Sequence, residues 1–372
     1  MASALSAPHF HNEEAAFAYV EAYIWPEGPV CPHCGGVERI SKMQGKATRI
    51  GLYKCYQCRK QFTVRIGTIF ESSHVPLRLW LQAMHLIASS KKGMSSNQLY
   101  RILGVTLKTA WFMSHRIREA MRSGDDSLFG TGGGVVEVDE TFIGQLKGVE
   151  KRRAFHHKMK VLALVDRDSG KARTMVIDNV NADTLMPIVL NNVAREARIM
   201  TDEHSGYRFL KDHFADHGTT SHGRGQYVDL EDRTVHSNTV EGYFSIFKRG
   251  MKGVYQFCSE GHLHRYLAEF EFRYNNRVAL GCNDTDRATA MLKGIVGRRL
   301  TYRPAHGLGL PGAVPMPLPG TGPGPDTLPG PVTPRRRSIS RRSRFVGRPA
   351  PRSRMPAGAT ASRGGGGGEL SM

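Results

Sequence analysis

Two cysteine doublets constrain this chain more than any other feature. Cys31-Pro-His-Cys34 is followed, after twenty residues, by Cys55-Tyr-Gln-Cys58. Four thiolates offered from two knuckles satisfy one tetrahedral zinc ion, and this spacing belongs to zinc ribbons. The stretch between the knuckles is too short to build a core of its own. The metal therefore supplies the folding energy, on the order of 10 kcal/mol. With all four positions filled by protein, the site is structural. A ribbon is expected over residues 12–70, with His33 an exposed bystander inside the first knuckle. Cys258 and Cys282 lack metal spacing and are expected to be reduced and packed.

Charge narrows the partners. Fifty-two basic residues against 33 acidic leave a net charge of +19. Such an excess points to a polyanion, with double-stranded DNA the expected partner. The excess is uneven: residues 303–372 hold 13 of the 19 prolines, 11 basic and 2 acidic residues, and the glycine run Gly364–Gly368. That composition buries too little to offset its ordering entropy, so a disordered tail is expected. Its Arg335–Arg344 cluster could grip phosphates. The most apolar run, Leu77 to Ala88, is interrupted by Arg78, Gln82 and His85, so no membrane span is expected. Glu13 and Glu14, with no basic n-region, argue against a secretory leader and for a cytoplasmic, nucleoid-associated protein.

Residues 76–123 read as three helices. The first runs from Pro76 to Ala88; Ser95 opens a second that stops at Gly104; Thr106 caps a third from Leu107 to about Met121. Two short helices joined through a glycine turn fit a helix-turn-helix. On the third, Leu107, Ala110, Trp111, Ser114 and Ile117 share one face, the expected core side. Lys108, Thr109, His115 and Arg116 fall away from it, where a groove-reading face would lie. The glycine-rich stretch 124–134 reads as a linker.

Residues 135–300 mix strands and helices. Val135 to Ile143 alternates as a strand does; Lys160–Val165 and Ala172–Ile177 are two more, joined by the turn Asp166–Gly170. A helix over Ala182–Val193, a strand over Ala197–Asp202, a helix over Tyr207–Phe214, a short strand at Gln226–Leu230 and a helix from about Ser237 follow. Antiparallel strands, then a helical crossover to a further strand, make an α/β fold of the ribonuclease H type. The last helix, His262 to Arg277, carries Arg265, Arg273 and Arg277, expected to be solvated or to touch DNA.

Three carboxylates stand where this arrangement puts chemistry. Asp139 is in the first strand, Asp202 at the carboxyl end of the fourth, and Glu241 one turn into the late helix. Carboxylates converging from separate elements can hold two hard cations, magnesium or manganese, which stabilise an in-line phosphoryl displacement. Glu137 alternates onto the face of Asp139 and is a reserve ligand. Asn238-Thr-Val-Glu241 is also a capping-box pattern, which would occupy both polar residues without any catalysis. Lys248, two helical turns after Glu241, shares its face and could reach a phosphate, with Arg249 beside it.

The ordered set of segments CPHC, CYQC, SSNQLYRILGVTLKTAWFMSHRIR, VEVDETFIG, MTDEHSGY, HSNTVEGYFSIFKRGMKGVYQF and LAEFEFRYNNR resembles the bacterial insertion-sequence transposases of the ISXO-like type. The resemblance covers about residues 12 to 300. It implies a zinc ribbon ahead of a DDE-type, ribonuclease H-like catalytic domain. It carries the acid triad onto Asp139, Asp202 and the HSNTVEG segment, where Glu241 is taken as third member and Asn238 as support. It further implies recognition of the element's terminal inverted repeats, cleavage there, joining of the 3′-hydroxyl to target DNA, and an oligomer that holds two ends. The alternatives are a domesticated, non-catalytic DNA-binding protein and a nuclease of the same fold without strand transfer.

Overall fold

The ribbon forms around its cysteines. In the computed structural model, which describes residues 3–151, 155–221 and 228–301, helix α1 (Glu13–Ile24) precedes three short antiparallel strands, β1 (Ile40–Lys42), β2 (Tyr53–Cys55) and β3 (Gln61–Phe62). Cys31, Tyr53, Cys55 and Phe62 are its only buried hydrophobic cluster among the described residues. Four side chains are far too few to hold three strands, so the knuckles must do so. The tail from 303, with its arginine cluster, lies outside the described residues.

Helices α2 (Leu77–Ser89), α3 (Ser96–Leu103) and α4 (Leu107–Ala120) follow. The caps are those that the sequence predicts: the Ser95 side chain accepts from the Gln98 N–H at 3.2 Å, and Thr106 from the Thr109 N–H at 3.2 Å. Gly104 ends α3 at φ 65°, a conformation that disfavours any residue with a Cβ. Trp80, Met84, Ile87, Leu99, Met113 and Ile117 form one core with Phe17 and Val20 of α1. Met291 and Leu292 of α8 (Asp284–Lys293), and Ile295 just after it, join this core, so the chain returns to it after the sheet.

The glycine-rich stretch expected as a linker leads into the second half while packed against it: Phe129 is buried, and Arg173 donates to the carbonyls of Asp125 and Ser127 at 2.8 and 2.9 Å. Strands β4 (Val135–Ile143), β5 (Met159–Asp166), β6 (Ala172–Ile177), β7 (Arg198–Asp202) and β8 (Asp216–Thr220) make one sheet in the order β6-β5-β4-β7-β8. The first three pair antiparallel; β7 and β8 run parallel to β4. Alternation splits the sheet's side chains between two cores. Val161, Ala163 and Val165 face α6 (Asn238–Gly250) and α7 (Glu260–Asn275); Val136, Val138, Leu162 and Leu164 face α5 (Ala182–Asn192).

Two expectations change. In place of a helix over Tyr207–Phe214 there are two short 3-10 turns, Ser205–Tyr207 and Leu210–Asp212, which tuck Tyr207 and Leu210 under the sheet. Of the strand expected at Gln226–Leu230, Gln226 and Tyr227 lie outside the described residues, and the rest is no strand: Val228 makes a single bridge to His236. No helix among the described residues is long and apolar enough to cross a membrane.

Candidate active site

Register brings the first two carboxylates together. β4 and β7 pair in parallel with Glu137 opposite Met200. Two residues beyond that pair along each strand come Asp139, midway along β4, and Asp202, the last residue of β7. Asp139 accepts the Glu140 N–H at 2.7 Å, and Asp202 accepts the His204 N–H at 3.0 Å. Because Val136 and Val138 face the α5 core, Glu137 and Asp139 must face α6.

Helix α6 is aimed by Glu137. This side chain is fully buried; its Oε2 accepts the Val240 N–H at 2.8 Å, and its Oε1 pairs with Arg167 Nε at 2.6 Å. The Arg167 guanidinium also reaches the Thr234 and His236 carbonyls at 2.7 and 2.8 Å, tying the loop before α6 to the sheet. Glu137 is thus occupied as an acceptor at the helix N-terminus and is not the reserve ligand expected. The capping box is not formed either. Ser237 occupies the cap position without a side-chain cap bond, and Asn238 is an exposed first residue of the helix. With a carboxylate from the sheet taking the helix's unpaired N–H, local capping by Asn238 is superfluous.

The electrostatics record how close the acids lie. Burial, then the negative charges of Glu140, Asp202 and Glu241, push the Asp139 carboxyl up to about 8. Burial raises Glu140 as well, countered by the hydrogen bond from Tyr207, whose hydroxyl donates to Oε2 at 2.6 Å. Like charges gathered in a partly desolvated site raise one another's affinity for positive charge. The donors are all hard oxygens, which fit magnesium or manganese. Glu140 is a spare carboxylate on the strand of Asp139, and its partner Tyr207 is the neighbour that sequence reasoning left out. The signal was the second carboxylate of Asp139-Glu140; a partner on the opposite sheet face could not be inferred without the turn that carries Tyr207. Lys248, half-buried, lines a 480 Å³ cavity that begins at Glu140, along with Lys158 and Lys252. Arg249 is exposed and its Nε donates to the Ser245 carbonyl at 3.1 Å.

The cysteine site is closed. Cys31 and Cys58 sulfurs lie 3.6 Å apart and Cys34 and Cys55 sulfurs 3.7 Å, with all four within 4.8 Å of one another. A tetrahedron with Zn–S bonds of about 2.3 Å needs sulfurs about 3.8 Å apart. Backbone N–H groups of Cys58 and Gln57 point at the Cys55 sulfur and favour its thiolate form. These residues fit a structural zinc.

The groove-reading face expected on α4 needs correction. Lys108 is exposed and Thr109 half-buried, but His115 and Arg116 are buried. Arg116 donates to the carbonyls of Ile69, Glu71 and Leu300 at 2.8, 2.7 and 3.0 Å. His115 packs among Trp111, His262 and Tyr266. The helix is covered on a second side by α7 and by the segment leading to Leu300, so its polar stripe is interior. Leu107, expected in the core, is 46% exposed. On α7, Arg273 is buried against Glu269 and Arg265 pairs with Glu119; Arg277, just beyond the helix, donates to the Gly170 carbonyl at 2.6 Å, so these three brace the fold.

A four-cysteine ribbon fit for zinc, joined to a mixed sheet that carries carboxylates on its parallel-paired central strands β4 and β7, defines an α/β protein with an acidic centre. The chain carries an ISXO2-like transposase domain, matched over residues 132–275, and a transposase zinc-ribbon domain, matched over residues 11–61. It is 25% identical, over 280 residues, to an uncharacterized protein in transposable element ISH50 of Halobacterium salinarum, an alignment spanning 71% of this chain and 91% of the relative. Among solved structures, a chain of the simian T-cell lymphotropic virus intasome in complex with PP2A regulatory subunit B56 gamma aligns at 14% identity with TM-score 0.23, over 46% of this chain and 63% of that one. A chain of the Drosophila P element transposase strand transfer complex aligns at 11% identity with TM-score 0.22, over 52% and 55%.

Proposed function

We propose that this transposase-family chain is an active DNA transposase with a ribonuclease H-like catalytic domain and a helix-turn-helix at α3–α4. It binds the terminal inverted repeats of its element, cleaves the phosphodiester there and joins the freed 3′-hydroxyl to target DNA. The observation that supports this reading is that Asp139 and Asp202 stand on the paired strands β4 and β7, with α6, which carries Glu241, docked on β4 through the bond from the Val240 N–H to Glu137. Asp139, Asp202 and Glu241 would hold magnesium or manganese, which when bound polarises a phosphoryl oxygen as a Lewis acid. Asn238 lies one turn before Glu241 and supports it. The carboxylates draw a proton from the attacking hydroxyl, of water first and of the 3′-end second. Lys248 neutralises charge on the flanking phosphate. The reaction is then chiefly positioning and charge compensation, with no covalent protein intermediate. Two ends must be held for a joined product, so a homo-oligomer on DNA, in the cytoplasm, is part of the reading.

The test begins by sequencing the DNA that flanks the gene, where imperfect inverted repeats bounded by short direct duplications are expected and would supply the substrate. With such ends and magnesium or manganese, the wild-type chain is expected to give joined products. Asp139→Ala and Asp202→Ala are expected to abolish joining while end binding in a gel-shift assay persists. Joining by either variant overturns the site. Nicks without joined products in the wild type indicate a nuclease instead.

A further inference from the structure

Beside Glu140 lies a groove whose lining carries more than phosphate-binding charge. This 480 Å³ cavity is lined by Glu140, Phe155, Lys158, Lys248, Lys252 and Gln256 among others. Phe155 is 53% exposed; its ring stacks on Phe142 with centroids 4.8 Å apart, and Lys158 Nζ stands 5.0 Å from its centroid. Gln256 also lines a second groove, 860 Å³, to which Lys108 and Trp111 of α4 contribute. Phe257 lines that second groove and is 79% exposed.

The exposure of Phe257 is enforced. Gln256 sits at φ 59°, in the left-handed region that residues other than glycine seldom adopt. The Phe257 N–H folds back onto the Tyr255 carbonyl at 2.6 Å. Tyr255 in turn is pinned: its hydroxyl donates to buried Glu269, and its ring lies 5.0 Å from the Arg118 guanidinium. Arg118 and Glu269 form a buried pair at 2.6 Å. Strain at one residue persists when surrounding structure over-determines it, and here it holds an aromatic ring in water beside the site.

A ring so held needs a partner with a flat apolar face, and the lysines beside it require that partner to be a polyanion. A nucleic-acid base on its phosphate chain is both. In a duplex the base faces are stacked on one another; in an unpaired strand they are available. We propose that Phe257 and Phe155 are stacking platforms for an unpaired DNA strand laid along the lysine-lined groove toward the carboxylates. This rests on the transposase reading and adds the form of DNA the site takes: an end frayed before it is cut.

The test uses the full chain without divalent cation, so that nothing is cleaved. The probes are a mixed-sequence single-stranded oligonucleotide carrying 2-aminopurine and the matched duplex. The wild type is expected to bind the single strand and to change the 2-aminopurine fluorescence. Phe257→Ala is expected to weaken single-strand binding about five- to one-hundredfold and to abolish the fluorescence change, with duplex affinity unaltered. Phe257→Tyr restores both, and Phe155→Ala gives a smaller loss. Phe257→Ala binding the single strand as the wild type does, or losing both forms in equal measure, overturns the proposal. A wild type that binds duplex but no single strand overturns it and leaves the transposase reading intact. A wild type that binds neither overturns the transposase reading itself.

Discussion

The ribbon and the acidic centre are two ways of building a charged cluster. In the ribbon, four ligands come from two short knuckles within 28 residues, and their sulfurs converge to within 4.8 Å. In the sheet, Asp139, Asp202 and Glu241 come from three elements spread over about a hundred residues. Among the described residues the four cysteines are the one cluster of three or more potential ligands gathered so tightly. The first cluster is closed and holds its own fold together. The second is open, and burial with its neighbouring negative charges raises the proton affinity of Asp139. Loss of a ligand should therefore cost the ribbon its stability and the acidic centre its activity.

The largest effect is expected at Cys55→Ser. Three remaining thiolates lose the zinc, and with it folding energy on the order of 10 kcal/mol over the ribbon. Zinc content measured by atomic emission should fall from one ion per chain to none; unchanged zinc breaks the assignment. Next comes Glu137→Ala, which strands the Val240 N–H and leaves Arg167, only 17% exposed, without its partner. Breaking such a pair costs about 3–5 kcal/mol, readable as a shift in the urea midpoint, and DNA joining should fail because α6 loses its aim. Glu137→Gln keeps an acceptor for Val240 and should recover part of the stability. An Ala variant as stable as the wild type removes Glu137 from its place as helix anchor.

Third is His115, whose ring nitrogens have no partner and whose pKa is lowered to about 2 by burial and then by Arg118, His262, Arg265 and His264. The unfolded chain takes up a proton near the ordinary value of about 6.5, and the folded one does not. Stability is therefore full above that value and falls as pH drops below it, by up to about 1.4 kcal/mol per unit. His115→Phe should flatten urea-measured stability between about pH 6.5 and 5; an unchanged slope shows that His115 is not buried neutral. The smallest effect has the opposite sign. Asp139 is raised, so its stability contribution is complete below the ordinary aspartate range and is lost as pH climbs toward 8. Asp139→Asn in cation-free buffer at neutral pH should gain ~1 kcal/mol, a rise of a few degrees in Tm. A fall in Tm means that the carboxylate is doing structural work.

The sequence made the ribbon legible because ligand spacing is a local property, read off thirty residues. It made the caps at Ser95 and Thr106 legible for the same reason, and also the alternation of β4. It did not make the burial of His115 and Arg116 legible: helical periodicity identifies one apolar face but not a second covering of α7 and the segment to Leu300. Nor could it separate Glu137 from Asp139, since alternation puts both on one face. Position along the strand then decides: Glu137 meets the first turn of α6 while Asp139 stands two residues further along. Strand β8, with the sequence DHGTT, has no apolar alternation to announce it and pairs only at the sheet edge.

Residue chemistry at short separations determined the cysteine knuckles, the helix limits and the identity of the acids. Only the tertiary structure decided which carboxylates meet, because parallel pairing of β4 with β7 and the docking of α6 are contacts between segments 63 and 103 residues apart. Interactions within a few residues are dictated by backbone geometry alone. Those across a hundred exist only once burial of the two sheet cores has fixed the register.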